Sequence, residues 1–168
     1  MENARRAEAT ELSRELRNGG SRSLRRRRGI IALSMAASGS MALITLYQTG
    51  LIRHLPEPPL SLLDADRVDA SAEAYQKLRT PDAALGLASY AATIVLAAMG
   101  GEDRAKNAPW VVLALAAKIA FDAANAIRLT IEQPVTQKAY CFWCLLAATA
   151  TLATVPLIVP EAREALRG

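Results

Sequence analysis

The sequence predicts an all-α integral membrane protein, a four-helix bundle with a short amphipathic helix in its first outer loop. Two observations lead to this fold class. The charged residues, 21% of the 168, crowd into residues 1–28, 53–82 and 101–106. The stretches between them are apolar over about 17–25 residues, the length at which a helix crosses hydrocarbon about 30 Å thick.

The chain divides into a basic N-terminal segment, residues 1–28, a membrane domain, residues 29–160, and a short tail, residues 161–168. Polar connections containing Gly or Pro, residues typical of helix ends, separate the apolar runs of the membrane domain. The expected spans are residues 29–52, 83–99, 109–130 and 139–160.

The N-terminal segment ends in four consecutive arginines, Arg25 to Arg28. A net charge of +4 suggests nucleic acid as a partner, but these arginines stand directly beside a span, where positive charge sets topology. A cleaved signal peptide also begins with a basic and then an apolar stretch; here the apolar run is too long, and further spans follow. We therefore expect a cytoplasmic anchor on the lipid bilayer and no nucleic-acid partner.

Positive charge also predicts the orientation of the spans. With a cytoplasmic N-terminus, that side carries nine arginines before the first span and four more basic residues later, about twice as many as the other side. Both termini are then cytoplasmic. The start of the fourth span lies on the non-cytoplasmic side, which is usually oxidising.

The first outer loop, residues 53–80, is the longest polar connection and contains the only histidine, His54. Its second half has apolar residues at helical spacing, which predicts a short amphipathic helix that covers the end of the bundle. The apolar face of this loop helix consists of Val68, Ala72, Tyr75 and Leu78.

The second span is expected to begin just after the loop. Thr80 is its expected N-cap, with Pro81 at the first helical position.

The two cysteines of the chain, Cys141 and Cys144, form a CxxC motif where the fourth span begins. At this spacing two thiols lie one helical turn apart and can form a disulfide. A zinc site needs about four ligands, and covalent haem attachment needs a His after the second Cys, where Leu145 stands. Two inert buried cysteines are a further alternative. A reactive dithiol is the interpretation we favour.

Position supports this interpretation. The N-terminus of a helix carries partial positive charge, and Lys138 is close, so we expect a lowered thiol pKa. Cys141 is expected nearer to water, where another protein's thiol reaches it. Cys144, one turn deeper, is expected to face a lipid-soluble two-electron partner such as a quinone.

The sequence resembles the vitamin K epoxide reductase family, in particular its bacterial quinone-coupled members. The resemblance rests on four spans, the CxxC motif, and the segments Ala74-Tyr75-Gln76-Lys77-Leu78 and Pro81-Asp82-Ala83-Ala84-Leu85-Gly86-Leu87-Ala88-Ser89-Tyr90. It covers residues 29–160 and implies a thiol–disulfide oxidoreductase of the bacterial inner membrane.

By this resemblance, Cys144 is the catalytic thiol that faces the quinone, and Cys141 is the catalytic thiol that exchanges with a thioredoxin-like protein outside the cytoplasm. The quinone is ubiquinone or menaquinone, and no metal is implied. The residues expected to contact it are Asp82, Phe142, Trp143 and Ala148.

Three positions depart from the family pattern. The first outer loop lacks the cysteine pair that normally relays electrons, with residues 67–70 about where it is expected. Asp82 stands where the family places an Asn near the quinone carbonyl. Ala148 replaces the Tyr of the vitamin K-reducing enzymes, so we do not expect epoxide reduction. The missing pair leaves a second function open, a non-catalytic membrane subunit with structural or vestigial cysteines.

Three polar residues share one face of the third span, Lys118, Asp122 and Asn125. Charges inside a span normally pair or serve a function. One interpretation is a structural Lys118–Asp122 ion pair with Asn125 bonded to a neighbouring helix. The other is proton delivery to a quinone, which takes up two protons with two electrons.

Overall fold

The computed structural model of the protein describes residues 2–75 and 79–167, and this part of the chain contains helices and no strand. A single bridge pairs Leu63 with Tyr140. The predicted all-α class is therefore confirmed. The helices are α1 (Glu2–Asn18), α2 (Arg22–Gln48), α3 (Ala65–Asp69), α4 (Asp82–Ala98), α5 (Arg104–Asn107), α6 (Pro109–Thr136) and α7 (Phe142–Ala165), with a 3-10 turn at Ala72–Tyr75.

Three of these helices, α2, α6 and α7, are long and apolar enough to cross a membrane. The fourth apolar helix, α4, has 17 residues. At 1.5 Å per residue it is about 26 Å long, slightly short of the hydrocarbon thickness. The structure thus supports a helical membrane protein with three candidate spans.

The apolar helices pack side by side, with α2 against α4 and α7, and α6 against α7. Their shared core is formed by branched side chains that are at most 3% exposed, such as Ile30 of α2, Leu115 of α6 and Ile158 of α7. The chain passes back and forth, so the bundle has two ends. We call the end with residues 49–75, 79–81 and 137–141 the loop end, and the end with α1, residues 99–108 and the end of α7 the terminal end.

The helix boundaries differ from the expected spans. Helix α2 begins at Arg22, where Ser21 Oγ accepts the amide of Leu24 at 3.1 Å, so the four arginines are helical. It ends at Gln48 rather than residue 52, because the chain turns at Gly50 with a φ of +77° that glycine tolerates. Helices α6 and α7 both continue beyond residues 130 and 160.

The first outer loop forms two short helical pieces, α3 and the 3-10 turn, so the single amphipathic helix is not confirmed. The side chains of Val68 and Ala74 are buried, whereas Leu78 lies outside the described residues. The loop lies over the end of the bundle, as expected, because Asp64 N donates to Tyr140 O at 3.0 Å.

Helix α4 begins at Asp82, with Pro81 at the N-cap, which makes no side-chain capping hydrogen bond. The expected N-cap at Thr80 is therefore one residue too early. Asp82 stands in the first turn, where an acidic side chain faces the partial positive charge of the helix N-terminus.

The terminal end is held by two buried arginines. Arg27 is 2% exposed and donates to the carbonyls of Ala97 at 3.0 Å, Gly100 at 2.8 Å and Gly101 at 2.9 Å, which closes the end of α4. Arg104 is 1% exposed and forms an ion pair with Glu161. One of the four expected anchor arginines is therefore an interior side chain with a packing role.

Candidate redox site

The CxxC motif lies at the start of α7, at the loop end. Cys141 is the N-cap of the helix, and its Sγ accepts the backbone amide of Cys144 at 3.2 Å. The amide of Cys141 in turn donates to Gln133 Oε1 of α6 at 2.9 Å. Both cysteines are free thiols. The helix start therefore fixes the two sulfur atoms on one side of the first turn, as the spacing predicts.

The two thiols differ in accessibility. Cys141 is fully buried, in a cluster with Leu55, Ala65 and Val68 of the first outer loop. Cys144 is partly accessible, because it opens to a cavity on the other side. The loop folds over the start of α7, so another protein's thiol does not reach Cys141 in this conformation. The relative depth of the two cysteines in the membrane stays a prediction.

Asp69 is a site residue that the sequence analysis did not single out. Cys144 Sγ donates to its Oδ1 at 3.7 Å, and one ligand atom from each of Asp69, Cys141 and Cys144 lies within 4.8 Å of the others. Asp69 is 3% exposed, and its Oδ2 has no hydrogen-bond partner among the described residues. Asp69 ends the short helix α3, and no periodicity in the loop marks it as different from the neighbouring acids.

Burial raises the pKa of the Asp69 carboxyl to about 7, and the negative charge of Asp82 adds to this, while hydrogen bonds from the two thiols oppose it. At Cys141, which precedes the span, the hydrogen bond from Cys144 lowers the pKa. Burial and the charge of Asp69 outweigh that effect, so the pKa of the Cys141 thiol is raised. The expected lowering is therefore wrong; Lys138 is exposed and does not act on the thiol.

A cavity of about 300 Å³ opens beside the dithiol, between α2, α4, α6 and α7. Cys144 and Asp69 are part of its wall, and so are two of the predicted quinone-contacting residues, Asp82 and Ala148. Gln48 Nε2 donates to Asp82 Oδ1 at 2.8 Å and fixes that carboxylate. Much of the remaining wall is apolar, including Met41, Ile44, Leu85, Phe121 and Leu129.

The other two predicted quinone-contacting residues, Phe142 and Trp143, are not part of this wall. Their rings contact each other edge to face, with centroids 5.3 Å apart. Trp143 Nε1 donates to the carbonyl of Pro56 at 2.7 Å, so the indole attaches the first outer loop to α7.

The polar stripe of α6 faces α4 and the cavity. Lys118 Nζ lies 2.5 Å from Asp122 Oδ2 and donates to Ser89 Oγ at 2.7 Å. The predicted ion pair is therefore present. Asn125 donates to Phe121 O of its own helix rather than to a neighbouring one. Because Asp122 and Asn125 both line the cavity, the stripe and the dithiol share one space.

Asp69, Cys141 and Cys144 also have the donor types and the separations of a metal site. They supply three ligands, whereas structural zinc sites use four. Gln133 Oε1 already accepts the amide of Cys141. The arrangement resembles a dithiol with a neighbouring acid more closely than a metal centre.

An apolar helical bundle of membrane-spanning length, with a dithiol beside a largely apolar cavity, defines a membrane protein with a candidate redox site. The family model described as the vitamin K epoxide reductase family matches residues 29–159, and the chain belongs to this family. The resemblance predicted from the sequence is thus confirmed, and membership indicates a membrane thiol oxidoreductase. Neither the curated proteins nor the solved structures contain a match to the chain.

Proposed function

We propose that the protein is a quinone-dependent thiol–disulfide oxidoreductase of the bacterial inner membrane. It passes electrons between a thioredoxin-like protein on the non-cytoplasmic side and a quinone, through Cys141 and Cys144. The observation that carries this proposal is the position of Cys144, which contacts Cys141 on one side and forms part of the cavity wall on the other.

The residues of the cavity fit a quinone. A volume of about 300 Å³ is within the range of small-molecule sites and is large enough for a substituted ring. Leu85, Phe121 and Leu129 offer apolar contact for the ring. The Asn125 amide can donate to a carbonyl oxygen of the quinone, and the Asp82 carboxylate can accept from a hydroxyl of the hydroquinone. Ala148 leaves room on the α7 side. Ubiquinone and menaquinone both have this combination of a flat ring and two carbonyl oxygens.

The chain's own part in the reaction follows from thiol–disulfide exchange. In the oxidised protein a partner thiolate attacks Cys141 Sγ, which breaks the Cys141–Cys144 bond and releases Cys144 as the leaving thiolate. The second thiol of the same partner then attacks the mixed disulfide and displaces Cys141. The partner leaves as a disulfide, and Cys141 and Cys144 remain as a dithiol. A quinone supplies the oxidising power, since it accepts the two electrons and two protons that the dithiol loses when the disulfide forms again.

Exchange with a protein requires that the first outer loop move, because Cys141 is fully buried beneath it. The polar contacts that hold the loop near the start of α7 include Trp143 Nε1 to Pro56 O at 2.7 Å and Asp64 N to Tyr140 O at 3.0 Å, and such contacts must break for the loop to open. The loop contains no cysteine, so the partner's thiol must reach Cys141 directly once the loop opens.

For the topology we propose four spans, with α4 as the shortest, and both termini on the cytoplasmic side. The terminal end then faces the cytoplasm and the CxxC motif faces the opposite compartment. A span of 17 residues is tolerated when the flanking side chains reach the interface or the bilayer thins locally.

A non-catalytic membrane subunit is the second candidate function. The burial of Cys141 and the absence of loop cysteines favour it. In that case the thiols stay reduced whatever quinone is present.

The test is a redox titration of the full chain in detergent, with thiols trapped by alkylation, in the presence and absence of ubiquinone or menaquinone. We expect the dithiol to become a disulfide only when quinone is added. Cys141→Ser and Cys144→Ser variants control for oxidation of single thiols. Thiols that remain reduced at every quinone concentration would exclude the oxidoreductase and leave the subunit function.

A further inference from the structure

We propose that Asp69 is a catalytic residue of the dithiol, which takes the proton from Cys144 Sγ when the Cys141–Cys144 disulfide forms. The inference rests on the proposed function for its oxidant, and it adds a residue from the first outer loop to the redox site.

Geometry carries the proposal. Cys144 Sγ donates to Asp69 Oδ1 at 3.7 Å, within the range of a hydrogen bond from sulfur. Asp69 is 3% exposed and belongs to the cavity wall, so a proton held there is shielded from bulk water. Its Oδ2 is buried and has no hydrogen-bond partner within the described part of the chain. One oxygen thus contacts the thiol, and the other is enclosed by the protein.

The fold holds Asp69 at this point from two sides. Asp64 is the N-cap of helix α3, where its side chain accepts the amide of Arg67, and Asp69 is the last residue of this five-residue helix. Gln48 Nε2 of α2 donates to the backbone carbonyl of Asp69 at 3.2 Å. The same amide nitrogen donates to Asp82, so one side chain positions both carboxylates of the cavity.

The surroundings of Asp69 allow it to change its protonation state. The ionisable groups that interact with it are the acids Asp82 of α4 and Glu57 of the loop and the two thiols at the start of α7. The phenols of Tyr47 in α2 and Tyr75 in the 3-10 turn also lie within its field. Gln48 of α2 and Gln133 of α6 are neutral. Two neighbouring acids and burial favour the protonated carboxyl, and the pKa of Asp69 is about 7. At this pKa the group gives and accepts protons readily near neutral pH.

The step balances as follows. The dithiol loses two electrons and two protons as the S–S bond forms, and a quinone gains two electrons and two protons to become a hydroquinone. The Cys144 S–H bond breaks, and its proton moves to Asp69 Oδ1. The electron pair left on sulfur becomes available for oxidation. Asp69 would then pass this proton on to one quinone oxygen, which regenerates its carboxylate. The proton released by Cys141 would supply the other oxygen, so the hydroquinone receives both protons.

The experiment uses the reduced full chain in detergent and compares the wild type with Asp69→Asn from pH 5.5 to pH 9. The first readout is the rate of disulfide formation with a short-chain ubiquinone. The second is the rate of alkylation by a small maleimide, which needs the thiolate but no quinone.

We expect Asp69→Asn to slow disulfide formation about 100-fold at pH 8 and to abolish the decrease in rate that the wild type shows as pH falls through about 7. Alkylation is expected to become faster, because the Asp69 charge that disfavours the Cys141 thiolate is removed. A purely structural role would change both rates in the same direction. Equal slowing of both, or no change in either, would overturn the proposal.

Asp66→Asn is the matched control, because it makes the same chemical change on the same short helix, where the side chain contacts His54 Nδ1 at 2.7 Å and Leu55 N at 2.8 Å rather than a thiol. It should leave both pH profiles unchanged. Asp69→Glu, which keeps a carboxyl, should restore part of the quinone-driven rate. If the wild type itself is not oxidised by quinone, the proposed function fails, whereas the alkylation shift still reports on the Asp69–thiol pair.

Discussion

The guanidinium of Arg104 donates to both carboxylate oxygens of Glu161, from Nε at 2.7 Å and from Nη2 at 3.0 Å, and neither side chain is more than 4% exposed. Arg104 Nη1 also donates to the carbonyls of Leu96 at 2.8 Å and Met99 at 2.9 Å. This pair therefore joins α5 to α7 and closes the end of α4. It lies at the terminal end, away from the dithiol.

Replacement of Arg104 by Met should destabilise the protein by about 3–5 kcal/mol, because it leaves the buried charge of Glu161 without a partner. The measurement is thermal unfolding in detergent. The double variant with Glu161→Gln should recover a large part of the loss. Thiol alkylation of the protein that remains folded should match the wild type. A change below about 1 kcal/mol would show that Glu161 finds another partner or a proton.

The sequence was sufficient to predict the helical class, the apolar helices and the dithiol because these depend on local properties. A long uncharged run has few alternatives to a helix, and the i, i+3 spacing of Cys141 and Cys144 is fixed by helix geometry. The Lys118–Asp122 pair follows in the same way, since residues four apart on a helix are neighbours.

The loop could not be predicted in the same way, because its conformation depends on what it covers. The buried thiol of Cys141 and the position of Asp69 both result from the loop folding back over α7, and this contact joins residues 75 positions apart in the chain. The acids of the loop look alike in the sequence. Asp66 accepts from a backbone amide at the surface, whereas Asp69 reaches the cysteines.

Ala148→Phe should block the proposed quinone site, because residue 148 is part of the cavity wall and a phenyl ring would fill much of the free space. We expect at least about a tenfold rise in the KM for a short-chain ubiquinone, with little change in alkylation of the dithiol. Leu146→Phe is the matched control, since Leu146 lies two residues earlier on α7 and is 40% exposed on its outer face. Equal effects of the two variants would place the quinone elsewhere.

Trp143→Phe removes the hydrogen bond to Pro56 and keeps an aromatic ring, so it should loosen the first outer loop. A hydrogen bond of about 0.5–1.5 kcal/mol corresponds to roughly a 2- to 12-fold rise in the open population. The measurement is the alkylation rate of Cys141 in a Cys144→Ser background. Phe142→Leu, next to it, leaves the hydrogen bond intact and should have a smaller effect. An unchanged rate for Trp143→Phe would show that Cys141 becomes accessible by another motion.

Asp69→Asn should also change the dependence of stability on pH. The carboxyl of Asp69 has a pKa of about 7 in the folded protein and 3.8 as its ordinary value, so the folded state binds the proton more tightly. This tighter proton binding contributes fully to the free energy of unfolding below pH 4. The contribution is lost as pH rises towards 7, where the buried negative charge lowers the free energy of unfolding by at most about 4 kcal/mol. The Asn variant has no such charge. Its midpoint of thermal unfolding should therefore rise relative to the wild type from about pH 4 to pH 7, and the difference should remain level above that. The comparison is made in detergent, with the dithiol reduced, at several pH values. A difference between the two proteins that is the same at every pH would mean that Asp69 does not titrate in this range.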